Sequence, residues 1–244
     1  MSITKPGKER VLARSAEEAK RYHVTKKILL SLLALLILIS AIIYIIAVLY
    51  SRYGSFTVTI DKSDAARYSL SLSETEQFNA QTSRLNAKTA EDITNISVND
   101  LPGDLDAING EHNGENYLAY TFYLKNVGKD TVTFEYNMYI TSVKNDVDKA
   151  IRIRVYRDGE PITYARTRTD GNGAEPDTVE FLTKRDIMRL SVKDFAPDDV
   201  TKFTVVIWLE GDDPDCIDDL IGGSLKTDMK ISVIEASNAE ANED

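Results

Sequence analysis

Six acidic side chains fall within ten residues near the end of this chain: Glu210, Asp212, Asp213, Asp215, Asp218 and Asp219. Calcium takes several oxygen ligands and favours carboxylates. Asp212, Asp213, Asp215, Asp218 and Asp219 are therefore candidate calcium ligands. Their spacing is not that of an EF-hand loop, and acids on an acidic domain also simply stay in water or cap turns. The sequence leaves both readings standing. Other site chemistry has less to draw on. The chain holds two histidines, His23 and His112, and one cysteine, Cys216. A structural zinc site needs several such ligands, and no HExxH run occurs. A Ser-His-Asp triad would have to use His112, which sits between Asn109-Gly110 and Asn113-Gly114 with no GxSxG elbow nearby. His112 reads as a solvated loop residue. Asp215, Asp218 and Asp219 oppose a thiolate at Cys216, which reads as half-buried and structural. The chain is expected not to be an enzyme, with no catalytic residue and no cofactor.

The elements that would carry these residues follow from the hydropathy period. Phe56, Val58 and Ile60 alternate with Ser55, Thr57 and Thr59; Tyr68, Leu70 and Leu72 alternate with serines. Leu118, Tyr120, Phe122 and Leu124 share one face, as do Val132, Phe134, Tyr136, Met138 and Ile140. Period two with one polar face marks half-buried strands. The segment 126–130 between the last two has hairpin length and contains a glycine. Ile151, Ile153 and Val155 continue the pattern with Arg152 and Arg154 turned outward, and Asp158-Gly159 is a tight turn. Shorter strands are expected near 178–183 and 187–192. Phe203, Val205, Ile207 and Leu209 form the next face, and Leu225, Met229, Ile231 and Val233 the last. Trp208 lies opposite Phe203 and beside Val206, so this strand is expected to be buried on both faces. Residues 74–102 show no clear period; Leu85, Ile93 and Ile96 offer at most a short helix. About ten strands and no long helix predict an all-β fold, an antiparallel sandwich of the jelly-roll or Greek-key kind.

One stretch breaks this pattern. Residues 28–50 read ILLSLLALLILISAIIYIIAVLY, without a charge. At 1.5 Å per residue a helix of this length spans about 34 Å, enough for the ~30 Å hydrocarbon layer. The run is too long for a signal-peptide core, and no A-x-A site follows it. It is expected to be an uncleaved transmembrane anchor. Residues 1–27 carry a net charge of +5, with Lys26 and Lys27 abutting the apolar run, whereas the remainder carries −15. The excess of Lys and Arg before the anchor places the N-terminus in the cytoplasm and the body outside. An acidic body also excludes nucleic acid as a partner, since phosphate recognition rewards a basic face. The expected organisation is a cytoplasmic basic tail at 1–27, a transmembrane helix at 28–50, a short linker at 51–54, an extracellular sandwich at 55–234 and a disordered acidic tail at 235–244.

Residues 207–223, IWLEGDDPDCIDDLIGG, together with YTFYLKN-x-G at 120–128, resemble membrane-anchored surface proteins of clostridia and other Bacillota. More distantly the chain is similar to the TasA and camelysin family. The resemblance implies a jelly-roll ectodomain at a Gram-positive surface and, from TasA, extracellular matrix fibres. Camelysin is described as a metalloprotease, but no zinc motif exists here to carry over. The expected function is that of a single-pass cell-surface protein displaying a structural or adhesive domain. The alternative is an extracellular binding module for wall glycan or a protein partner, assisted by calcium. The expected partners are the lipid bilayer and cell-wall glycan or surface proteins.

Overall fold

The computed structural model describes residues 7–52, 55–87 and 93–237. Helix α1 runs unbroken from Gly7 to Arg52. It contains Val24–Ile46, 23 residues that include an 18-residue window of mean hydropathy 3.0, long and apolar enough to cross a membrane. Its large apolar side chains are exposed all round, from Ile28 to Ile46. A soluble helix needs only one apolar stripe, so this one suits a solvent of hydrocarbon. The basic segment before it, expected as a tail at 1–27, is helical from Gly7 on. Its Lys, Arg, Glu, Ala and Leu are good helix formers, and extending an existing helix avoids the cost of a new nucleus.

The body follows in chain order as β1 (Ser55–Ile60), α2 (Lys62–Tyr68), β2 (Leu70–Ser73), β3 (Arg84–Asn86), β4 (Gly110–Glu111), β5 (Tyr117–Asn126) and β6 (Thr131–Lys144). Then come β7 (Ile151–Arg157), β8 (Glu160–Ala165), β9 (Val179–Glu180), β10 (Asp186–Phe195), β11 (Val200–Leu209) and β12 (Ser224–Ser237). One sheet has the order β10-β6-β12-β1-β3, and the other has β2-β5-β11-β7-β8-β9 with β4 also on β5. The fold is the all-β sandwich that the alternation predicts. Most pairs are antiparallel, but β1 runs parallel to β12, with Val58 opposite Met229, and β8 runs parallel to β9. Alternation says which face is buried and nothing about direction, so these two pairs carry no sequence signal.

The inward faces meet in one core. Phe56, Tyr120, Phe122, Phe134, Tyr136 and Phe203 form its aromatic centre, with Phe122 stacked on Phe203 at 5.3 Å and Tyr136 edge-on to Phe203 at 5.0 Å. The segment 126–130 is not a hairpin, because β5 and β6 lie in different sheets. Asn126 fixes this crossing: its Nδ2 donates to the carbonyls of Asp130 and Phe195, and its Oδ1 accepts from the Gly128 N–H. A Cβ on Gly128 would sit 2.4 Å from the carbonyl oxygen of Tyr68, which reserves the position for glycine. Asp158-Gly159 does form the tight β7–β8 turn, with φ of 52° and 92° as that turn type requires.

A second, smaller core lies on the outer face of the β5-β11-β7 sheet. Leu105, Ala119, Val206 and Trp208 are buried there, with Ile96, Val98, Leu101, Tyr117 and Tyr156 packed against them. The expected burial of β11 on both faces holds, and Trp208 is 1 % exposed. The cover comes from the stretch after residue 92, whose apolar residues are too irregularly spaced to announce themselves. It forms two short 3-10 turns, Val98–Asp100 and Leu105–Ala107, rather than an α-helix. At the C-terminus β12 continues past the expected boundary at 234: Glu235, Ala236 and Ser237 pair with Thr133, Val132 and Thr131. The backbone ladder of a long partner strand orders this acidic stretch despite its composition.

Candidate functional site

The covered outer face changes the fate of the charged side chains that reach it. Arg152, expected in water, points from β7 under the connecting loops and is 5 % exposed. Its Nη2 lies 2.6 Å from Asp213 Oδ2 and 3.3 Å from Glu175 Oε2. Asp213 has no exposed side-chain surface. Its Oδ1 accepts the N–H of Asp215 at 2.7 Å, and its carbonyl accepts the N–H of Cys216 at 2.9 Å. Asp215 Oδ1 in turn accepts the hydroxyl of Thr169 at 2.6 Å. One carboxylate oxygen from each of Glu175, Asp213 and Asp215 lies within 4.8 Å of the others. Burial raises the pKa of Glu175 and repulsion by Asp213 adds to this, while Arg152 and Arg168 pull it back.

Beside this cluster stands another buried acid. Glu210, at the end of β11, accepts from the indole N–H of Trp208 at 2.9 Å and from the backbone N–H groups of Val98 and Asp212 at 3.2 Å. It ties the covering segment to the strand that Trp208 occupies. Arg154 lies over the Trp208 ring, 5.3 Å from its centroid, and donates to Thr163. Asp148 and Arg166 add a further ion pair of 2.7 Å, with Asp148 largely buried.

Of the five calcium candidates, the fold gathers Asp213 and Asp215 and adds Glu175. Asp212 instead accepts the Ser97 hydroxyl at 2.6 Å. Asp218 and Asp219 are exposed in the first turn of the 3-10 helix Asp218–Leu220 and join no carboxylate cluster among the described residues. Arg152 supplies the cluster with its own cation, and Asp213 Oδ1 and Asp215 Oδ1 are taken up by the Asp215 N–H and the Thr169 hydroxyl. The arrangement pins the loops around 169–175 and 211–216 to β7. Glu175 and Arg152 carried no sequence signal as a pair. The one usable hint was the apolar Val206-x-Trp208 face, which implied that its neighbours across the sheet would also be covered.

His112 is not a freely solvated loop residue. It is half-buried, its Nδ1 is 2.9 Å from the Gly110 carbonyl, and its backbone N–H is bonded to Ala119. Pairing of β4 with β5 draws the Asn/Gly loop onto the sheet. Cys216 is half-buried as expected, packs against the main core and accepts from Asn95 Nδ2 at 3.4 Å. His23 falls among the residues whose side chains are not described.

Fold and site together define a two-sheet β-sandwich preceded by one helix apolar enough to span a membrane. No protein-family model matches the chain, and no curated protein matches it significantly.

Proposed function

We propose that this chain is a single-pass protein of a Gram-positive surface. Its N-terminus lies in the cytoplasm, and its sandwich is displayed outside in a structural or adhesive, non-catalytic role. The observation that carries this reading is one helix with a stretch apolar enough to cross a membrane, followed by a body that closes its cores from its own residues 56–233. Lys26 and Lys27 at the head of the apolar stretch support the orientation. The resemblance of residues 207–223 and 120–128 to Bacillota surface proteins supports the placement.

β1 is hydrogen-bonded on one side to β12 and on the other to β3, so it is not a free strand to donate to a neighbour. This favours discrete domains standing on the membrane over long fibres. The reading is tested by comparing cells that express the full chain with cells whose chain stops after residue 54. Greater adhesion of the former to each other or to surfaces is expected. Equal adhesion, with long fibres by electron microscopy, would overturn it.

A further inference from the structure

A backbone bridge between Leu72 and Thr82 joins β2 to the segment leading into β3, and a cleft opens beside it. The opening is a cleft of about 410 Å³ lined by Glu74, Thr75, Asn86, Asn109, Gly110 and Glu111. That volume falls within the ~300–1,000 Å³ of small-ligand sites. Its walls are held from behind. The buried Tyr120 hydroxyl donates to Glu74 Oε1, while Glu74 Oε2 lies 3.8 Å from the position of a Cβ on Gly110. Tyr123 donates to Asn109 Oδ1 at 2.6 Å. Asn86 Oδ1 accepts from Thr57 at 3.1 Å and from Arg84 Nε at 3.2 Å. Arginine can only donate, so the orientation of this amide is fixed. Glu111 Oε1 accepts from Asn113 Nδ2 at 2.9 Å.

With both amide oxygens committed, Asn86 and Asn109 have their NH2 groups left for a ligand, in a cleft that Glu74 and Glu111 also line. An anion would be repelled by Glu74 and Glu111. A metal ion would meet amide hydrogens where it needs oxygens. A ligand hydroxyl suits both kinds of partner, because it accepts from an amide and donates to a carboxylate. We propose that this cleft binds a neutral, polyhydroxylated ligand, a saccharide. The inference rests on the reading of the body as an adhesive surface domain and gives that adhesion a chemical target. A shallow polar site binds weakly alone. Many copies held in one membrane would convert weak binding into avidity.

The test uses full-length protein in detergent micelles and saturation-transfer NMR with tetra-N-acetylchitotetraose, maltotetraose and the anionic tetragalacturonate. At least one neutral tetramer is expected to give saturable transfer, and tetragalacturonate none. Asn86→Asp and Asn109→Asp keep the oxygen that accepts the structural hydrogen bonds but replace the donating NH2 with a negative oxygen. Each should weaken binding about tenfold, the equivalent of one hydrogen bond, with no change in unfolding midpoint. No transfer from either neutral tetramer, preference for tetragalacturonate, or undiminished binding by both variants would overturn the proposal. Surface display is read separately, by labelling of intact cells, so failure here is distinguishable from failure of that reading.

Discussion

Replacing Arg152 with methionine takes away the cation that pairs with both Asp213 and Glu175 and leaves two carboxylates buried beside each other. Removing one partner of a buried ion pair costs about 3–5 kcal/mol, because the survivor keeps its desolvation penalty. For a body of this size each kcal/mol moves Tm by about 2–4 °C, so a drop of about 6–20 °C is expected. Trp208, the only tryptophan, reports the transition. It sits opposite Arg152 in the β11–β7 register and is bonded to Glu210, so its fluorescence should shift to the red as urea unfolds the body. The loss should depend on pH. Burial raises the pKa of Glu175 and Arg152 opposes that rise, so the variant raises it further. A carboxyl whose folded pKa is raised holds its proton more tightly when folded. Its destabilising effect is therefore present at neutral pH, fades as pH falls through the raised folded pKa, and is gone below the ordinary glutamate pKa of about 4.3. The deficit at pH 7 should shrink at pH 4. Adding Glu175→Leu and Asp213→Leu to the variant should restore most of the stability at pH 7. A loss below about 1 kcal/mol at pH 7, the range of exposed pairs, would refute the view of this cluster as a buried rivet.

Millimolar calcium should leave the unfolding midpoint unchanged. Binding would raise stability by RT ln(1 + [L]/Kd), about 2.7 kcal/mol at 100-fold saturation, so a saturable rise abolished by Asp213→Asn would establish a calcium site. Glu210→Leu strips an acceptor from the Trp208 indole and two backbone N–H groups and should cost roughly 2–4 kcal/mol, read by the same fluorescence. A cost under about 0.5 kcal/mol would mean that these donors find water instead. Gly128→Ala drives a methyl group against the Tyr68 carbonyl and should destabilise by about 1–3 kcal/mol. An unchanged midpoint would show that the β5–β6 crossing has room to move.

The main core was legible in the sequence because it depends on alternation alone. The residues read as inward-facing on β1, β5, β6, β7 and β11 are those that fill it, from Phe56 to Ile207. Direction and sheet membership were not legible. The 126–130 connection has the length and the glycine of a hairpin, and only the long-range pairing of β5 with β2 and β11, and of β6 with β10 and β12, makes it a crossing between sheets. The carboxylate cluster was half legible. Proximity in sequence nominated Asp213 and Asp215, but Glu175 lies far away in the chain and Arg152 looked like an ordinary outward side chain. Both depended on irregular loops covering a face that alternation marks as polar. The polar cleft left no mark at all, since its residues come from three short segments, around Glu74, Asn86 and Gly110, that belong to different sheets.

Cysteine labelling of intact cells measures the central claim, that the sandwich stands outside a single membrane span. In a Cys216→Ser background, cysteines are placed singly at Ser2 and at Glu160, the latter exposed beside the β7–β8 turn. A membrane-impermeant maleimide should label the Glu160 position on intact Gram-positive cells and reach the Ser2 position only after permeabilisation. Labelling of Ser2 on intact cells, with Glu160 protected until they are opened, would contradict the account.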